Sequence, residues 1–324
     1  MVRVIADDDV DRLLDLDPLL GVVADAFRAQ RAGAVERPDR PHFPLGRGLD
    51  PEDADRALGT GLAMPAYVHG AATYATKVAS VHEENPERGL PTVHAQVLVA
   101  DAATGEPRAL LAGTRVTNAR TGCIGGLAVS HLARTPVTLA TFGAGTQARW
   151  QTRAIATATD VDAVAVYSPS DSRHECASDL DATVDAAVRA ADSPADALDG
   201  ANAVVTATTS TEPVFDAADC PDGAVVVAVG AYTPEMQELD AGTVARADRV
   251  YADVPEEAVE TGDLAERRTV DDVRPFADAF DARRVAPDEL VVVKSVGSAV
   301  LDAATADWLL ERAVDDDVGR DVPL

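Results

Sequence analysis

Short apolar runs alternate with helical patterns through the second half of this sequence, and this alternation limits the possible folds more than any other feature. The runs are each three to six residues long: 137–142, 163–167, 203–207, 224–229, 250–252 and 290–293. Such alternation is typical of a parallel sheet whose strands are buried on both faces and joined by helices. The sequence from Pro136 onward therefore predicts an α/β fold, a doubly wound parallel sheet with right-handed crossovers.

A glycine-rich turn follows the first of these runs. It reads Gly143-Ala144-Gly145-Thr146-Gln147-Ala148 and leads into a helical pattern at 149–157. Gly143 permits the tight turn, Gly145 lets a pyrophosphate approach the backbone, and Ala148 allows close packing of helix on sheet. The helix start would present amide donors to the phosphates. Glycines also occur in ordinary turns, but this one opens the first of several alternating units and predicts a Rossmann-type dinucleotide site.

The choice between NAD and NADP depends on the end of the second strand. An acid that binds the ribose is expected there, about 20 residues after the glycines. The sequence is Tyr167-Ser168-Pro169-Ser170-Asp171-Ser172-Arg173, in which no carboxylate follows the strand directly. Ser168, Ser170 and Arg173 are available for a 2′-phosphate, which favours NADP. The alternative is that Ser170 or Asp171 only caps the next helix.

The first third of the chain predicts an irregular α+β segment. The expected elements are an amphipathic helix at 13–32, strands at 74–81 and 95–101, and a helix rich in small residues at 117–133. A turn-rich segment at 84–89 separates the two strands, so we expect them to be antiparallel. A last helix at 301–314 follows the α/β part, and its apolar face is expected to fold back on the first domain.

The charge of the chain excludes some partners. With 55 acidic residues against 28 Lys and Arg, the formal net charge is −27, which disfavours binding to nucleic acid or to an anionic membrane. Lys77 and Lys294 are the only lysines, and arginine supplies the other strong positive charges. We interpret this composition as a salt-adapted, halophilic surface, because high salt screens the repulsion among carboxylates.

Cysteine content and hydropathy indicate the compartment. Cys123, Cys176 and Cys220 are odd in number and not paired in spacing, which argues against a disulfide framework and against a thiolate metal site. No run reaches the roughly 18 to 20 apolar residues that a membrane helix needs. The first residues also lack the basic-then-apolar pattern of a signal peptide. We therefore expect a cytoplasmic protein without a metal.

The rarity of lysine makes two cations candidates for a substrate site. Lys77 lies in a strand-like run among small and apolar residues, where a solvated surface position is less natural than a position in a site. Arg120 lies near the start of the long helix that joins the two predicted domains. Either residue would suit the carboxylate of an amino or imino acid, and the alternative for each is a structural ion pair.

These features resemble the ornithine cyclodeaminase and mu-crystallin family, which includes archaeal alanine dehydrogenases and ketimine or pyrroline-2-carboxylate reductases. The likeness extends over nearly the whole chain and is found in ordered blocks: Met64-Pro65-Ala66-Tyr67, Lys77, Asn85, Gly89-Leu90-Pro91-Thr92-Val93, Thr104-Gly105-Glu106-Pro107, Thr117, Arg120-Thr121, the glycine turn, Glu238-Leu239-Asp240, Lys294-Ser295-Val296-Gly297 and Asp302. The resemblance implies a homodimer. It also implies a substrate-binding and dimerisation domain at 1–117 with 297–324, and a Rossmann domain at 118–296.

The resemblance also implies the roles of particular residues. Arg40, Lys77 and Arg120 correspond to the clamp on the substrate carboxylate, although Arg37 is close to Arg40 in sequence, and Thr92 would lie beside the substrate. The implied cofactor site consists of residues 143–148, the group Ser168, Ser170 and Arg173, and the further residues Thr117, Thr208 and Lys294.

One position departs from the cyclodeaminase pattern. Cyclodeaminases carry an aspartate base in the loop after the fourth α/β strand, and this chain has Tyr232 there. A phenol with an ordinary pKa of about 10 is a poor base at neutral pH but an adequate acid. We therefore predict an NAD(P)-dependent oxidoreductase acting on a small amino acid or its imine, with Lys77 and Tyr232 as catalytic residues. The alternatives are an ornithine cyclodeaminase that recycles NAD and a non-catalytic protein that binds a nucleotide and a small ligand.

Overall fold

A computed structural model describes residues 1–323, except for the side chain of Pro86. Its strands are β1 (Val2–Ile5), β2 (Val35–Glu36), β3 (His42–Leu45), β4 (Gly59–Val68), β5 (Thr73–Val81), β6 (Val93–Asp101), β7 (Pro107–Ala112), β8 (Val137–Phe142), β9 (Val161–Tyr167), β10 (Ala187–Ala190), β11 (Ala203–Thr206), β12 (Ala224–Ala228), β13 (Arg249–Ala252), β14 (Arg274–Pro275), β15 (Leu290–Lys294) and β16 (Arg320–Val322). Its helices are α1 (Asp7–Leu13), α2 (Leu16–Arg31), α3 (Gly113–Leu132), α4 (Thr146–Ala158), α5 (Ser172–Asp181), α6 (Pro194–Leu198), α7 (Ala241–Arg246), α8 (Pro255–Ala258) and α9 (Ala299–Asp315).

The chain divides into two compact units. The first contains residues 1–15 and 25–120 and the chain from Ala299 onward, and the second contains residues 16–24 and 121–298. The grouping of residues 16–24 with the second unit was not expected from the sequence. Among the described residues, no helix is both long enough and apolar enough to cross a membrane.

The first unit is built on a mixed sheet in the order β16-β1-β7-β6-β5-β4-β2, with β3 also paired to β4. The meander from β4 to β7 is antiparallel, as expected, whereas β1 runs parallel to β7. Helix α9 packs against β4, β5 and β6. Since side chains alternate across a strand, this helix covers the sheet face that carries Lys77 and Val97, which are paired in the register.

The helix predicted at 13–32 is found as α2 (Leu16–Arg31), and of the predicted range only Leu13 belongs to the separate short helix α1 (Asp7–Leu13), as its last residue. The chain turns at Leu14, whose φ of −78° and ψ of 124° are extended rather than helical. Pro18 lies in the first turn of α2, where the absence of a backbone N–H leaves no helical hydrogen bond unmade. The amphipathic pattern is therefore helical as predicted, with its start three residues later than expected.

The second unit confirms the predicted α/β fold. Its sheet has the order β10-β9-β8-β11-β12-β15-β13-β14, and each of its neighbouring pairs is parallel. The central strands β12 and β15 are buried along their whole length, in agreement with their almost unbroken apolar sequences. The strand order reverses between β8 and β11. In such sheets ligands bind at the carboxyl ends of the strands beside this reversal.

Candidate functional site

The first unit brings two cations onto one buried carboxylate. The Lys77 Nζ atom lies 2.7 Å from Oδ2 of Asp302, and the Arg120 Nε atom donates to Oδ1 of the same carboxylate at 3.0 Å. These side chains come from β5, α3 and α9, and all three are buried. Residues up to 225 positions apart in sequence therefore form one cluster, which we call the Asp302 cluster.

The Asp302 cluster has more positive than negative charge. Burial lowers the pKa of Lys77 to about 8, with Asp302 opposing this effect and Arg120 and Arg40 adding to it. Burial acts to raise the pKa of Asp302, but Arg120 and Lys77 outweigh it and hold that pKa below its ordinary value. Asp302 is therefore a carboxylate at neutral pH, and one anion faces at least two cations. A cluster with this balance attracts a further anion.

The other residues assigned to the substrate differ in their positions. Arg40 is half-buried and close enough to Lys77 to lower the pKa of that lysine. Thr92 lies just before β6, where its carbonyl oxygen accepts the N–H of His82 at 2.8 Å. Lys77 pairs with Val97, four residues along the strand from Val93 and about 13 Å from it. The described contacts thus do not bring Thr92 to the Asp302 cluster, and its role stays a prediction.

The glycine turn in the second unit has the shape that a dinucleotide requires. Gly143 has a φ of +106°, and a Cβ there would lie 2.5 Å from the carbonyl oxygen of Ala207. Gly145 is the N-cap of α4, and a Cβ placed on it would meet no atom within 4 Å. Ala148 is fully buried beneath the helix. Open space in front of Gly145 and the backbone amides at the start of α4 fit a bound pyrophosphate.

Hydroxyl groups and Arg173 surround the end of β9. The Ser170 Oγ atom is 3.3 Å from Oγ of Ser168 and 2.6 Å from Oγ of Ser172. Arg173 donates from Nη1 to the carbonyl oxygens of Ser168 and Ser170, while its buried Nε atom has no hydrogen-bond partner among the described residues. Asp171 is the N-cap of α5, but its side chain makes no capping hydrogen bond. The residues of this group therefore lie together at the carboxyl edge of the sheet.

Lys294 belongs to a second buried cluster, and the half-buried Thr208 contacts it. The Lys294 Nζ atom lies 2.7 Å from Oδ2 of Asp263, and both side chains are fully buried. Thr208 donates from its hydroxyl group to Oε1 of Glu238 at 2.9 Å. The side chain of Lys294 thus faces a carboxylate inside the protein instead of the surface where a cofactor would lie. We call Glu238, Asp263 and Lys294 the Glu238 cluster.

Two other predicted residues are half-buried. Tyr232 lies in the loop after β12, next to residues whose amides bond to Glu238, and Thr117 lies on α3 within the first unit. Their roles stay predictions.

Sequence reasoning assigned no role to Asp302, Asp263 or Glu238. Asp302 and Glu238 were noticed only as parts of the family blocks. A usable signal was the presence of lysine in apolar strands, because a buried ammonium requires a buried counter-ion. Among the described residues, no group of three or more His, Cys, Asp or Glu side chains is arranged to hold a metal ion.

Two solved structures share this architecture over essentially the whole chain. One is the Thermococcus litoralis Delta(1)-pyrroline-2-carboxylate reductase in complex with NADH and L-proline, with a TM-score of 0.91, 27% identity, and coverage of 99% of this chain and 100% of that chain. The other is an archaeal alanine dehydrogenase dimer with bound NAD, with a TM-score of 0.85, 27% identity, and coverage of 100% of this chain and 99% of that chain.

Sequence comparison leads to the same group of proteins. The chain is 30% identical over 329 residues to a Delta(1)-pyrroline-2-carboxylate reductase of Bacillus cereus, and the match covers 98% of each protein. The resemblance seen in the ordered sequence blocks is thereby confirmed. The model of the ornithine cyclodeaminase/mu-crystallin family matches residues 2–317, and this chain belongs to that family.

Proposed function

We propose that this chain is an NAD(P)-dependent oxidoreductase that acts on the Cα–N bond of a small amino acid or its cyclic imine. The observation that carries this proposal is the Asp302 cluster, in which Lys77 and Arg120 share one buried carboxylate and Arg40 lies nearby. The surplus of positive charge suits a substrate carboxylate, and the guanidinium of Arg120 suits bidentate binding. The similar structures include a Delta(1)-pyrroline-2-carboxylate reductase and an alanine dehydrogenase, and both names specify substrates of this kind.

In the proposed reaction the protein positions the substrate and supplies a proton. When bound, the dinucleotide provides or accepts a hydride at the α-carbon. Arg120 and Arg40 orient the carboxylate, while the Lys77 ammonium donates its proton to the imine nitrogen as the C=N double bond becomes C–N. Lys77 is suited to this step because its pKa of about 8 lets it release and regain a proton near neutral pH. The products are the amino acid and the oxidised dinucleotide.

Tyr232 favours net oxidation or reduction over cyclodeamination. A cyclodeaminase needs a base for the side-chain amine, and a phenol with an ordinary pKa of about 10 is protonated at neutral pH. Net change in NAD(P)H absorbance separates the alternatives, because a cyclodeaminase returns its cofactor to the starting state.

The principal test is a spectrophotometric screen of the purified chain at molar salt. Cyclic imines, pyruvate with ammonia, alanine, ornithine and lysine are each offered with NADH and NADPH, or with NAD and NADP in the reverse direction. We expect cyclic imines to oxidise NAD(P)H with one equivalent of amino acid formed. Conversion of ornithine to proline without net change of the cofactor would contradict the proposal, and so would tight ligand binding without turnover.

We further propose that the cofactor is NADP rather than NAD. Support comes from the hydroxyl groups of Ser168 and Ser170 beside Arg173, whose nearest described carboxylate is that of the fully exposed Asp171, 4.0 Å from Nη1. The buried Nε atom of Arg173 is a donor that a 2′-phosphate could use.

Arg173→Ala should weaken NADPH binding by about tenfold to a hundredfold and leave NADH binding unchanged. Arg153→Ala, which removes an arginine stacked on Trp150, is the matched control. Equal affinity of the wild type for both cofactors, or tighter NADH binding, would overturn this preference.

A homodimer is the proposed assembly. The sheet face opposite α9 exposes Tyr74, Val78, Leu98 and Leu110, each 40% to 51% accessible. These residues share one face, because Leu98 pairs with Leu110 and with Thr76 in neighbouring strands. A contiguous apolar face of this kind suits self-association. Light scattering at molar salt should give twice the chain mass for the wild type and a monomer for Leu98→Asp. A monomeric wild type would overturn this assignment.

We propose a cytoplasmic, salt-adapted protein. Both lysines are buried, so the positive charges on the described surface come from arginine and histidine side chains and the N-terminus, and the three cysteines are free and buried. The melting temperature should fall when molar salt is replaced by millimolar salt, since self-repulsion at a net charge of −27 is then no longer screened. Equal melting temperatures in the two conditions would contradict the salt adaptation.

A further inference from the structure

The second unit contains a buried carboxylate that joins two loops at the carboxyl edge of its sheet. Glu238 is fully buried, and its Oε1 atom accepts hydrogen bonds from the backbone N and the hydroxyl group of Thr208, at 2.7 and 2.9 Å. Its Oε2 atom accepts from Oγ1 of Thr206 at 2.9 Å and from the backbone N atoms of Gly230 and Ala231, at 2.7 and 3.3 Å. One side chain thereby satisfies donors from the loop after β11 and from the loop after β12.

A third segment holds Glu238 itself in place. The Asp263 Oδ1 atom accepts the backbone N–H groups of Glu238 and Leu239, at 2.7 and 2.8 Å. The other oxygen of Asp263 is bound by Lys294, the last residue of β15. The ends of β11, β12 and β15 are therefore linked through one buried network with two carboxylates and one ammonium.

The two loops are packed too closely to adjust independently. A Cβ at Gly230 would lie 2.2 Å from the carbonyl oxygen of Thr208 and 2.4 Å from Oε1 of Glu238. The loop after β11 also contacts the glycine turn, since a Cβ at Gly143 would lie 2.5 Å from the carbonyl oxygen of Ala207. A change at Glu238 is thus transmitted to the loop that carries Tyr232 and to the neighbour of the glycine turn.

These loops would lie under one half of a bound dinucleotide. In a doubly wound sheet each mononucleotide half occupies one side of the strand reversal, and the ribose-recognising residues at the end of β9 place the adenosine half over β8, β9 and β10. The nicotinamide half then belongs over β11, β12 and β15. We propose that Glu238 is a positioning residue: it fixes the loops at 207–210 and 229–232 so that the nicotinamide ring and Tyr232 are aligned for hydride transfer. This inference rests on the proposed function, and it assigns to Lys294 a supporting role through Asp263.

The test compares Glu238→Gln with Glu289→Gln. Glu289 is also a multiply bonded carboxylate of the second unit, with Arg283, Arg249 and the Ala286 amide as partners, but it precedes β15 at the opposite edge of the sheet. Each protein is titrated with NADPH or NADH by fluorescence, and with 2′,5′-ADP or AMP as an adenosine fragment. Turnover at saturating substrate and the melting temperature are measured at molar salt.

Glu238→Gln places an amide N–H group against backbone donors, so the loops must separate. We expect turnover to fall by about tenfold to a hundredfold and dinucleotide affinity by about tenfold, with fragment affinity unchanged. Glu289→Gln should lower only the melting temperature. If Glu238→Gln does not fold, Thr206→Val removes a single donor without changing side-chain shape, and turnover should fall by about threefold to tenfold.

The outcomes separate the two proposals. Glu238→Gln, or Thr206→Val in its place, that lowers only the melting temperature, as Glu289→Gln does, overturns the positioning role. Equal losses of fragment and dinucleotide affinity overturn it as well, because they indicate general damage to the unit. A wild-type protein that binds neither the dinucleotides nor the fragments overturns the proposed function itself.

Discussion

The only two lysines of the chain form almost identical ion pairs in two different settings. Lys77 in the first unit and Lys294 in the second each lie 2.7 Å from a buried aspartate oxygen. Around Asp302 the balance is positive, because Arg120 shares the carboxylate with Lys77. Around Lys294 the acidic groups outnumber the cations, because Glu238, whose pKa is raised by burial, lies near the Asp263 pair and feels the charge of Lys294. The geometry of each pair is therefore uninformative about its role, whereas the sign of the surplus charge is informative.

The surplus charge is met in different ways in the two clusters. In the Glu238 cluster, backbone N–H and threonine hydroxyl groups satisfy the extra carboxylate, so the network is complete within the protein. In the Asp302 cluster two cations share one carboxylate, and we propose that the extra positive charge binds an anion from outside. This contrast supports the proposal that the Asp302 cluster, which a ligand can complete, is the substrate site, and that the Glu238 cluster is a scaffold.

The strongest test of this contrast is Lys77→Met. Loss of the proton donor and of one cation should lower kcat/KM for imine reduction by about a thousandfold, with cofactor affinity unchanged. Lys77→Arg is the matched control, because arginine keeps the charge but does not release a proton at accessible pH. It should recover substrate affinity without recovering turnover. Near-normal turnover by Lys77→Met would remove the catalytic role.

We expect the loss of Lys294 to lower the free energy of unfolding more than the loss of Lys77, the opposite of their order in activity. Lys294→Met leaves Asp263 and Glu238 buried without a cation, and the free energy of unfolding should fall by about 3 to 5 kcal/mol. Lys77→Met leaves Arg120 on Asp302 and should lose less than about 2 kcal/mol. Urea unfolding at molar salt measures both.

The pH dependence of these losses checks their cause. Burial raises the pKa of Glu238 above its ordinary value, and removal of Lys294 would raise it further. Groups with a raised pKa favour the folded state at low pH, so the deficit of Lys294→Met should shrink as pH falls and grow as pH rises. Equal losses for the two variants, independent of pH, would show that the surplus charge does not distinguish the clusters.

The fold of the second unit was largely predictable because its strands are buried on both faces. β12 and β15 have the sequences AVVVA and LVVVK, which are apolar almost without interruption. β10 was missed because its sequence, AVRA, is short and includes exposed positions at the edge of the sheet. Local patterns therefore reveal central strands and fail at the edges.

The cations of the site could be predicted from the sequence and the carboxylates could not, because lysine is rare in this chain and acidic residues are common. With two lysines in the chain, a lysine inside an apolar strand is conspicuous, and Lys77 could be selected from the sequence. Asp302 and Glu238 are among 55 acidic residues, so an individual carboxylate in this chain carries little information. Their importance arises only when folding brings Asp302 to a lysine 225 positions away.

Asp302→Asn sharpens the contrast by removing the carboxylate that Lys77 and Arg120 share in the Asp302 cluster. The Asp302 carboxylate raises the pKa of Lys77 in the wild type, so its loss should lower that pKa below about 8. Imine reduction at pH 8 should then slow by about tenfold for each unit by which the pKa falls. Asp307→Asn is the control, since Asp307 also lies on α9 but bonds to Thr73. If the pH above which imine reduction falls is the same in both variants, Lys77 is not the group that titrates.

The smallest effect expected is the pH profile of the wild type, and it tests the chemistry of Lys77 directly. Imine reduction consumes the proton of the ammonium, so kcat/KM should be level below about pH 8 and fall about tenfold per unit above it. Amino-acid oxidation needs the neutral amine and should rise through the same pKa. Arginines do not titrate in this range, and Asp302 has a lowered pKa, so neither Arg120 nor Asp302 accounts for such a step. A limit near pH 10 in both directions would instead point to a phenol, and Tyr232 would replace Lys77 as the proton donor.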